Sequence, residues 1–321
     1  MILRKGSVPA EHRGPRDRPG RIETIRLSDA GGLTQFGAYE EILYPGTASS
    51  NRHWHSAEDE FLYLLDGTAT VIDDDGEHGL YPGDAAVWRA GVPNAHHVLN
   101  RTDKPLRYLI VGSRIANDIC SYPDSGARQI NTATEWELQD RTGARARGGA
   151  LPPELLSLPP DWTNASGATA GAPRIVRATE ARRDSATPEM AAALGEFEAL
   201  LYSDTGGLAQ FGAFAETLMP EAKSSYRHWH AAEDEFLYAL EGSPTVIDDA
   251  GPHILAPGDA AAWKAGVADA HHVVNFSPLP CAYLVIGTRL PSDIVRYPDD
   301  DRLYVRENGI VRRTRRDGSP L

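Results

Sequence analysis

The chain has 321 residues, 41% of them apolar and 24% charged, enough for two ordinary domains with real cores and normal for a soluble globular protein. Its 45 Asp and Glu outnumber 32 Lys and Arg, and the net charge of −13 argues against nucleic acid as a partner, since phosphate backbones repel an acidic surface. Two distant cysteines, Cys120 and Cys281, exclude a disulfide framework and a cysteine-rich metal site, and no run approaches the ~20 apolar residues of a membrane span.

Residues 1–21 lack the apolar run of a signal peptide and read as an N-terminal arm, surface-wrapped or poorly ordered. A cytoplasmic setting is the expectation. From residue 28 the chain repeats itself. Shifted by 175, Ser28–Asp124 falls on Ser203–Asp299 without a gap, with about 60% of positions identical. That is a duplicated domain. The boundaries that follow are 22–127 for the first domain, 128–195 for a linker or arm, 196–302 for the second domain and 303–321 for a C-terminal tail.

Within each copy, turn signals arrive about every ten residues. LDG (65–67), DDDG (73–76), PGD (82–84) and AGVPN (90–94) separate short runs such as TATVID, AAVW, HHVLN and LRYLIVG. Many short strands at that spacing predict an all-β sandwich or barrel. In PGD, proline and glycine fix a tight turn and the Asp caps it. The stretch 141–173 is rich in Gly, Pro and Ala and reads as an irregular linker or a long arm over a surface. TPEMAAALGEFEALLYS (187–203) predicts a short helix running into the first strand of copy two. Arg312, Arg313, Arg315 and Arg316 form a basic cluster that reads as a solvated terminus.

The repeat carries RHWHSAEDEFLY at 52–63 and RHWHAAEDEFLY at 227–238. In a strand, i and i+2 share a face. His53 and His55 therefore point one way, and Arg52 and Trp54 the other. Two neighbouring imidazoles are costly to pack and to protonate, and a metal ion resolves both problems. Glu58, Asp59 and Glu60 are candidates for further ligands, as is HH at 96–97. The most economical set is His53, His55, Glu60 and His96, with its twin His228, His230, Glu235 and His271. Arg52 and Arg227 are expected in structural ion pairs. Gln35 and Gln210 point into the barrel or face solvent, and Asn100 and Asn275 hold loops. Tyr63, Trp88 and Tyr108, with their twins, are core, with one or two lining a pocket.

These residues resemble the cupin superfamily, specifically a two-domain cupin. The first motif is matched by Gly46, His53, His55, Glu60 and Gly67, and in copy two by His228, His230, Glu235 and Gly242, with Glu221 in place of the glycine. The second is matched by Gly83, Gly91, His96 and Asn100, and by Gly258, Gly266, His271 and Asn275, with Arg89 and Lys264 in place of its proline. The family's spacing favours Glu60 over Glu58, and His96 over His97. The tails GSRIANDICSYPD and GTRLPSDIVRYPD resemble a group of bacterial metal-binding cupins without an assigned activity. The resemblance implies two tandem antiparallel jelly-roll barrels, each holding three His and one Glu in its mouth.

Three imidazoles and a carboxylate suit a divalent cation, with Fe(II) or Mn(II) favoured and Zn(II) or Ni(II) possible. Four protein ligands on a six-coordinate ion leave two positions for substrate, water or O₂. The leading expectation is an enzyme acting on a small oxygenated metabolite, a dioxygenase or decarboxylase. The rival is a metal-assisted binding or sensor module. Glu58 and Glu233 are the candidate acid–base or orienting groups. Oxalate decarboxylases of this family carry an arginine three residues before the first ligand His. Ser50 and Ser225 stand there instead, which lowers oxalate as a substrate. Copy two has Ala239 and Ala256 where copy one has Leu64 and Tyr81, and so the roomier pocket. Monomer and homodimer are both open.

Overall fold

The structure, a computed structural model, describes residues 1–14, 20–132, 134–151 and 171–321. Each half is built on a large antiparallel sheet. In the first, the strands Ala85–Trp88, Glu60–Asp66, Leu106–Ser113, Phe36–Leu43 and Ile22–Arg26 lie side by side in that order. Their twins in the second are Ala260–Trp263, Glu235–Glu241, Cys281–Thr288, Phe211–Leu218 and Phe197–Leu201. A three-stranded sheet faces each large one: Ala69–Asp73 with Gly76–Leu80 and His97–Leu99, and its copy. A further sheet carries the ligand strand, Trp54–His55, paired with Ile119–Tyr122.

The central strands read as unbroken apolar runs because both their faces are covered. Alternation sorts the side chains. Phe61 and Tyr63 join a core shared by the two halves, with Phe36, Val87, Phe211, Phe236 and Tyr238. Leu62 and Leu64 point the other way, into the first barrel's own core with Trp88 and Tyr108. Period two therefore puts Glu60 on the interior face with Leu62, and Asp59 on the face toward the other half.

That second consequence is visible. Asp59, 2% exposed, takes hydrogen bonds from the Ala209 and Gln210 amides at 2.8 and 2.9 Å and from Ala90 at 2.8 Å. Asp234 does the same with Thr34, Gln35 and Ala265. The Gln35 and Gln210 side chains return the contact, each bonding backbone of the opposite half. They lie between the halves, neither in a barrel nor in solvent. Asp59 is thereby committed to the interface and does not face the histidines.

Segments flanking the halves cross over. Ile2–Leu3 pairs with Ala260 and Ala261 of the second sheet, and Ile175–Val176 pairs with Ala85 and Ala86 of the first. Strands Ala127–Asn131, Glu135–Gln139 and Arg145–Ala150 continue the ligand-strand sheet of the first half. They lie at the start of 128–195, the segment read as a linker or arm, and Arg145–Ala150 falls within its Gly-, Pro- and Ala-rich stretch 141–173. Residues 152–170 of that segment lie outside the described residues. A helix, Pro188–Leu194, capped by the Thr187 hydroxyl on the Met190 amide, precedes the strand Phe197–Leu201. The basic C-terminal residues are tied down: Arg302–Glu307 and Ile310–Thr314 form a hairpin, and Arg316 donates to the carbonyls of Tyr297, Pro298 and Asp300.

Candidate metal centres

His53 and His96 face each other across a two-way backbone pair, at 3.1 and 2.9 Å. His55 sits in the short strand held by Cys120 and Ser121. Glu60 enters from the large sheet by the alternation described above. The three histidines thus meet one carboxylate from three different elements. Glu60 Oε2 lies 2.8 Å from His96 Nε2, 3.7 Å from His53 Nε2 and 3.9 Å from His55 Nε2. In the second half, Glu235 Oε2 lies 3.2, 3.9 and 3.6 Å from Nε2 of His271, His228 and His230. Ligand atoms about 2.1 Å from one small cation stand roughly 3 Å apart; His53, Glu60 and His96 in the first half, and His228, His230 and Glu235 in the second, bring ligand atoms within 4.8 Å of one another, and His55 and His271 each stand within 4 Å of their glutamate.

The outer ring nitrogens fix the tautomers. His53 Nδ1 donates to the Asn51 carbonyl at 2.9 Å and His96 Nδ1 to that of Asn94 at 3.1 Å. His55 Nδ1 donates to the buried Asp118 at 2.6 Å. His228, His271 and His230 repeat this with Tyr226, Asp269 and Asp293. With every Nδ1 holding a proton for an acceptor, the six Nε2 atoms face the glutamates and are the positions left for a cation, which would displace any proton they carry. This is the donor set a divalent cation requires, and the residues present fit one in each half.

The charges agree. Burial works against ionising Glu60, but the His55 charge and the His53 and His96 contacts hold its carboxyl well below the usual range. Glu235 is likewise depressed against burial, by the three histidines around it. His228 is pushed down to about 4, chiefly by burial, and so stays neutral. Burial also opposes charge on His55 and His230. There the carboxylates win, Glu60 and Asp118 at His55 and Asp293 and Glu235 at His230, and raise both imidazoles.

Asp118 and Asp293, which hold the outer nitrogens of the candidate ligands His55 and His230, are passed over by motif reasoning. Their only sequence signal is the repeated Asp in NDI and SDI of the two tails. Glu58 and Glu233 stand behind the ligands, at 3.5 Å from His55 Nδ1 and 3.6 Å from His230 Nδ1. Neither lines the metal-facing cavity of its half. Glu58 accepts the Ile115 amide and, by burial, is pushed up to about 7; Glu233 accepts the Leu290 amide and pairs with Arg306. Arg52 pairs with Asp74 and Asp124, and Arg227 with Asp249 and Asp299. His97 bonds the Ser50 carbonyl. Asn100 and Asn275 tie loops through carbonyls on either side.

Both clusters open onto a cavity, of about 230 Å³ in the first half and 270 Å³ in the second. Trp88 and Trp263 wall these cavities and stack on His96 and His271, with ring centroids 3.8 and 3.7 Å apart and planes within 11°. Of the substitutions that suggested a roomier second cavity, Ala239 is buried in the barrel core and Tyr81 is exposed; neither lines a metal-facing cavity.

Among the described residues no helix is long and apolar enough to cross a membrane. The cupin domain model matches the chain twice, at residues 39–112 and 214–287. No curated protein matches it. Among solved structures, an oxalate decarboxylase–formate complex from Lactobacillus farciminis is 16% identical, covers 92% of this chain and 88% of its own, and has a TM-score of 0.54. A salicylate 1,2-dioxygenase from Pseudaminobacter salicylatoxidans is 12% identical over 88% of this chain and 77% of its own, with a TM-score of 0.54. A half-length match, described as a sugar phosphate isomerase from a cupin superfamily in Silicibacter pomeroyi, is 38% identical over 44% of this chain and 93% of its own, with a TM-score of 0.42. Two matched domains on two like barrels make this chain a bicupin, a member of the cupin superfamily.

Proposed function

We propose that the chain is a metal-dependent enzyme with two three-His, one-Glu centres, holding Fe(II) or Mn(II) and acting on a small oxygenated metabolite as a dioxygenase or decarboxylase. One observation carries the reading: in each half three Nε2 atoms, their tautomers set from outside, converge on a glutamate oxygen at the floor of a cavity. A cation bound there would supply Lewis acidity and, if iron or manganese, open positions for an oxygen ligand. The ligand residues would be His53, His55, Glu60 and His96, and His228, His230, Glu235 and His271.

The chain's own residues supply the rest. Asp118 and Asp293 hold His55 and His230 in register and raise their basicity as ligands. Trp88 and Trp263 fix the planes of His96 and His271 and keep one cavity wall dry. Glu58 and Glu233 lie on the far side of His55 and His230 from the cavity, and their part is to orient those rings. Proteins of this fold include an oxalate decarboxylase and a salicylate dioxygenase. Ser50 and Ser225, each close to its ligand histidine at 3.2 Å, leave no arginine at the position that resembles the oxalate-binding one.

Elemental analysis of the purified protein tests the metal centres. Two equivalents of iron or manganese per chain are expected, falling to one in H53A/H55A and in H228A/H230A. Oxygen uptake and CO₂ release with catechols, diketones and hydroxy acids then test the reaction. Metal at neither site overturns the proposal. Tight binding without turnover replaces catalysis by a binding or sensor role.

A further inference from the structure

The two cavities differ in what their deepest polar groups do. In the first, Glu41 is used up. Its Oε1 takes hydrogen bonds from Thr24 at 2.9 Å and Arg13 at 3.0 Å, and its Oε2 takes one from the Tyr108 hydroxyl at 2.5 Å. The equivalent residues in the second half are Glu216 and Tyr283, opposite each other in the register of strands Phe211–Leu218 and Cys281–Thr288. Ala199 stands where Thr24 stands, and among the described residues no arginine or lysine lines this cavity. Glu216 is 7% exposed, and Tyr283 is fully buried. The Tyr283 hydroxyl is near enough to Glu216 and Ser224 to feel both, yet closes a hydrogen bond with neither. Both side chains line the cavity that holds His228, His230, Glu235 and His271.

A buried hydroxyl without a partner is destabilising, and native structures seldom leave one idle. Burial pushes the Glu216 carboxyl up to about 8, and without the threonine and arginine that occupy Glu41 it keeps acceptor oxygens for a ligand. An anionic ligand would find no fixed cation here beyond the metal itself. An uncharged one could accept from the orphaned Tyr283 hydroxyl and donate to Glu216.

We propose that Glu216 and Tyr283 are the ligand-positioning pair of the second barrel, and that they hydrogen-bond a hydroxyl or carbonyl oxygen of a small uncharged oxygenated ligand facing the histidine cluster. The inference rests on the metal-centre reading above. In the first barrel the same pair is closed on itself and on Arg13, so the two cavities select different ligands.

The test uses the full chain with only the second centre intact (H53A/H55A), loaded with Co(II), and two probes of one size: hydroxyacetone, which is neutral, and glycolate, which is an anion. Co(II) ligand-field bands report each titration. Hydroxyacetone is expected to bind more tightly than glycolate. E216L and Y283F each weaken hydroxyacetone about tenfold, while E216Q, which keeps a donor and an acceptor, retains most of the affinity. Conversely, R13A/T24A in H228A/H230A frees Glu41 Oε1, leaving only the Tyr108 bond on Oε2, and raises the hydroxyacetone affinity of the first centre. Unchanged affinity in both E216L and Y283F, tighter binding of glycolate, or no hydroxyacetone binding overturns the proposal. Absence of Co(II) bands in H53A/H55A overturns the metal reading and this one with it, a result distinct from bands that ignore Glu216.

Discussion

Glu221 occupies a backbone conformation that its counterpart leaves to glycine. Gly46 has φ of 72° and Glu221 has φ of 68°, and each donates its amide to the asparagine that ties the loop, Asn100 or Asn275. The turn is therefore kept while the residue suited to it is lost. A left-handed conformation costs a side chain roughly 1–2 kcal/mol, offset partly by the greater freedom glycine has in the unfolded chain. The Glu221 side chain is exposed and, among the described residues, has no bonding partner that would be missed. E221G is expected to stabilise the protein by about 0.5–1 kcal/mol, read as a higher denaturation midpoint at unchanged slope. A lower midpoint would show that Glu221 holds something the backbone strain conceals. The conserved geometry also explains why the motif survives at this position without its glycine: the loop is fixed by Asn275 from outside.

At the level of strands and turns, the dividing line between what could be read and what could not is the range of the interaction. Glu60 could be chosen over its neighbours because the resemblance supplied a spacing, and alternation along Glu60–Asp66 explains that choice physically: 60, 62 and 64 share the interior face. Asp118 could not be chosen, because the pairing of Ile119–Tyr122 with Trp54–His55 leaves no local mark. Gln35 and Gln210 read as polar residues in apolar strands, and nothing within one copy reveals that each satisfies the other half. RARGGA (145–150) has no strand pattern, and its strand is held by pairing with Glu135–Gln139. The Asp59 and Asp234 latches set a measurable scale for such contacts. D59A would leave three amides without their acceptor in the buried seam between the halves. A loss of about 3 kcal/mol or more is expected in chemical denaturation. D124A, which removes one exposed partner of Arg52, should cost at most ~1 kcal/mol. Equal costs for the two would mean that the halves do not depend on the latch.

For the molecule as a whole, the crossed arms matter as much as the shared core. Ile2 and Leu3 extend the second sheet along Ala260–Trp263, and Leu3 is buried in the seam. The next residues anchor on Asp259 of the repeated PGD turn: Arg4 pairs with its carboxylate at 2.8 Å and the Lys5 amide donates to it at 2.8 Å. On the other side Ile175 and Val176 extend the first sheet, and Arg177 and the Ala178 amide reach Asp84, the same Asp of the first PGD. Each turn Asp therefore both caps its turn and receives an arm that comes from before the other domain. The strand beneath each arm also carries the tryptophan that stacks on a ligand histidine, Trp263 on His271 and Trp88 on His96. Deleting residues 2–9 bares the edge of Ala260–Trp263 and loosens the wall behind His271, although the deleted segment lies in sequence beside the first domain. The expected result is weaker metal loading at the second centre and little change at the first. Co(II) titration of the deletion in the H53A/H55A and H228A/H230A backgrounds separates the two. A several-fold loss confined to H53A/H55A, where only the second centre remains, supports the crossed arrangement; an equal loss at both, or a loss confined to the first, would show that the arm stabilises the domain it precedes.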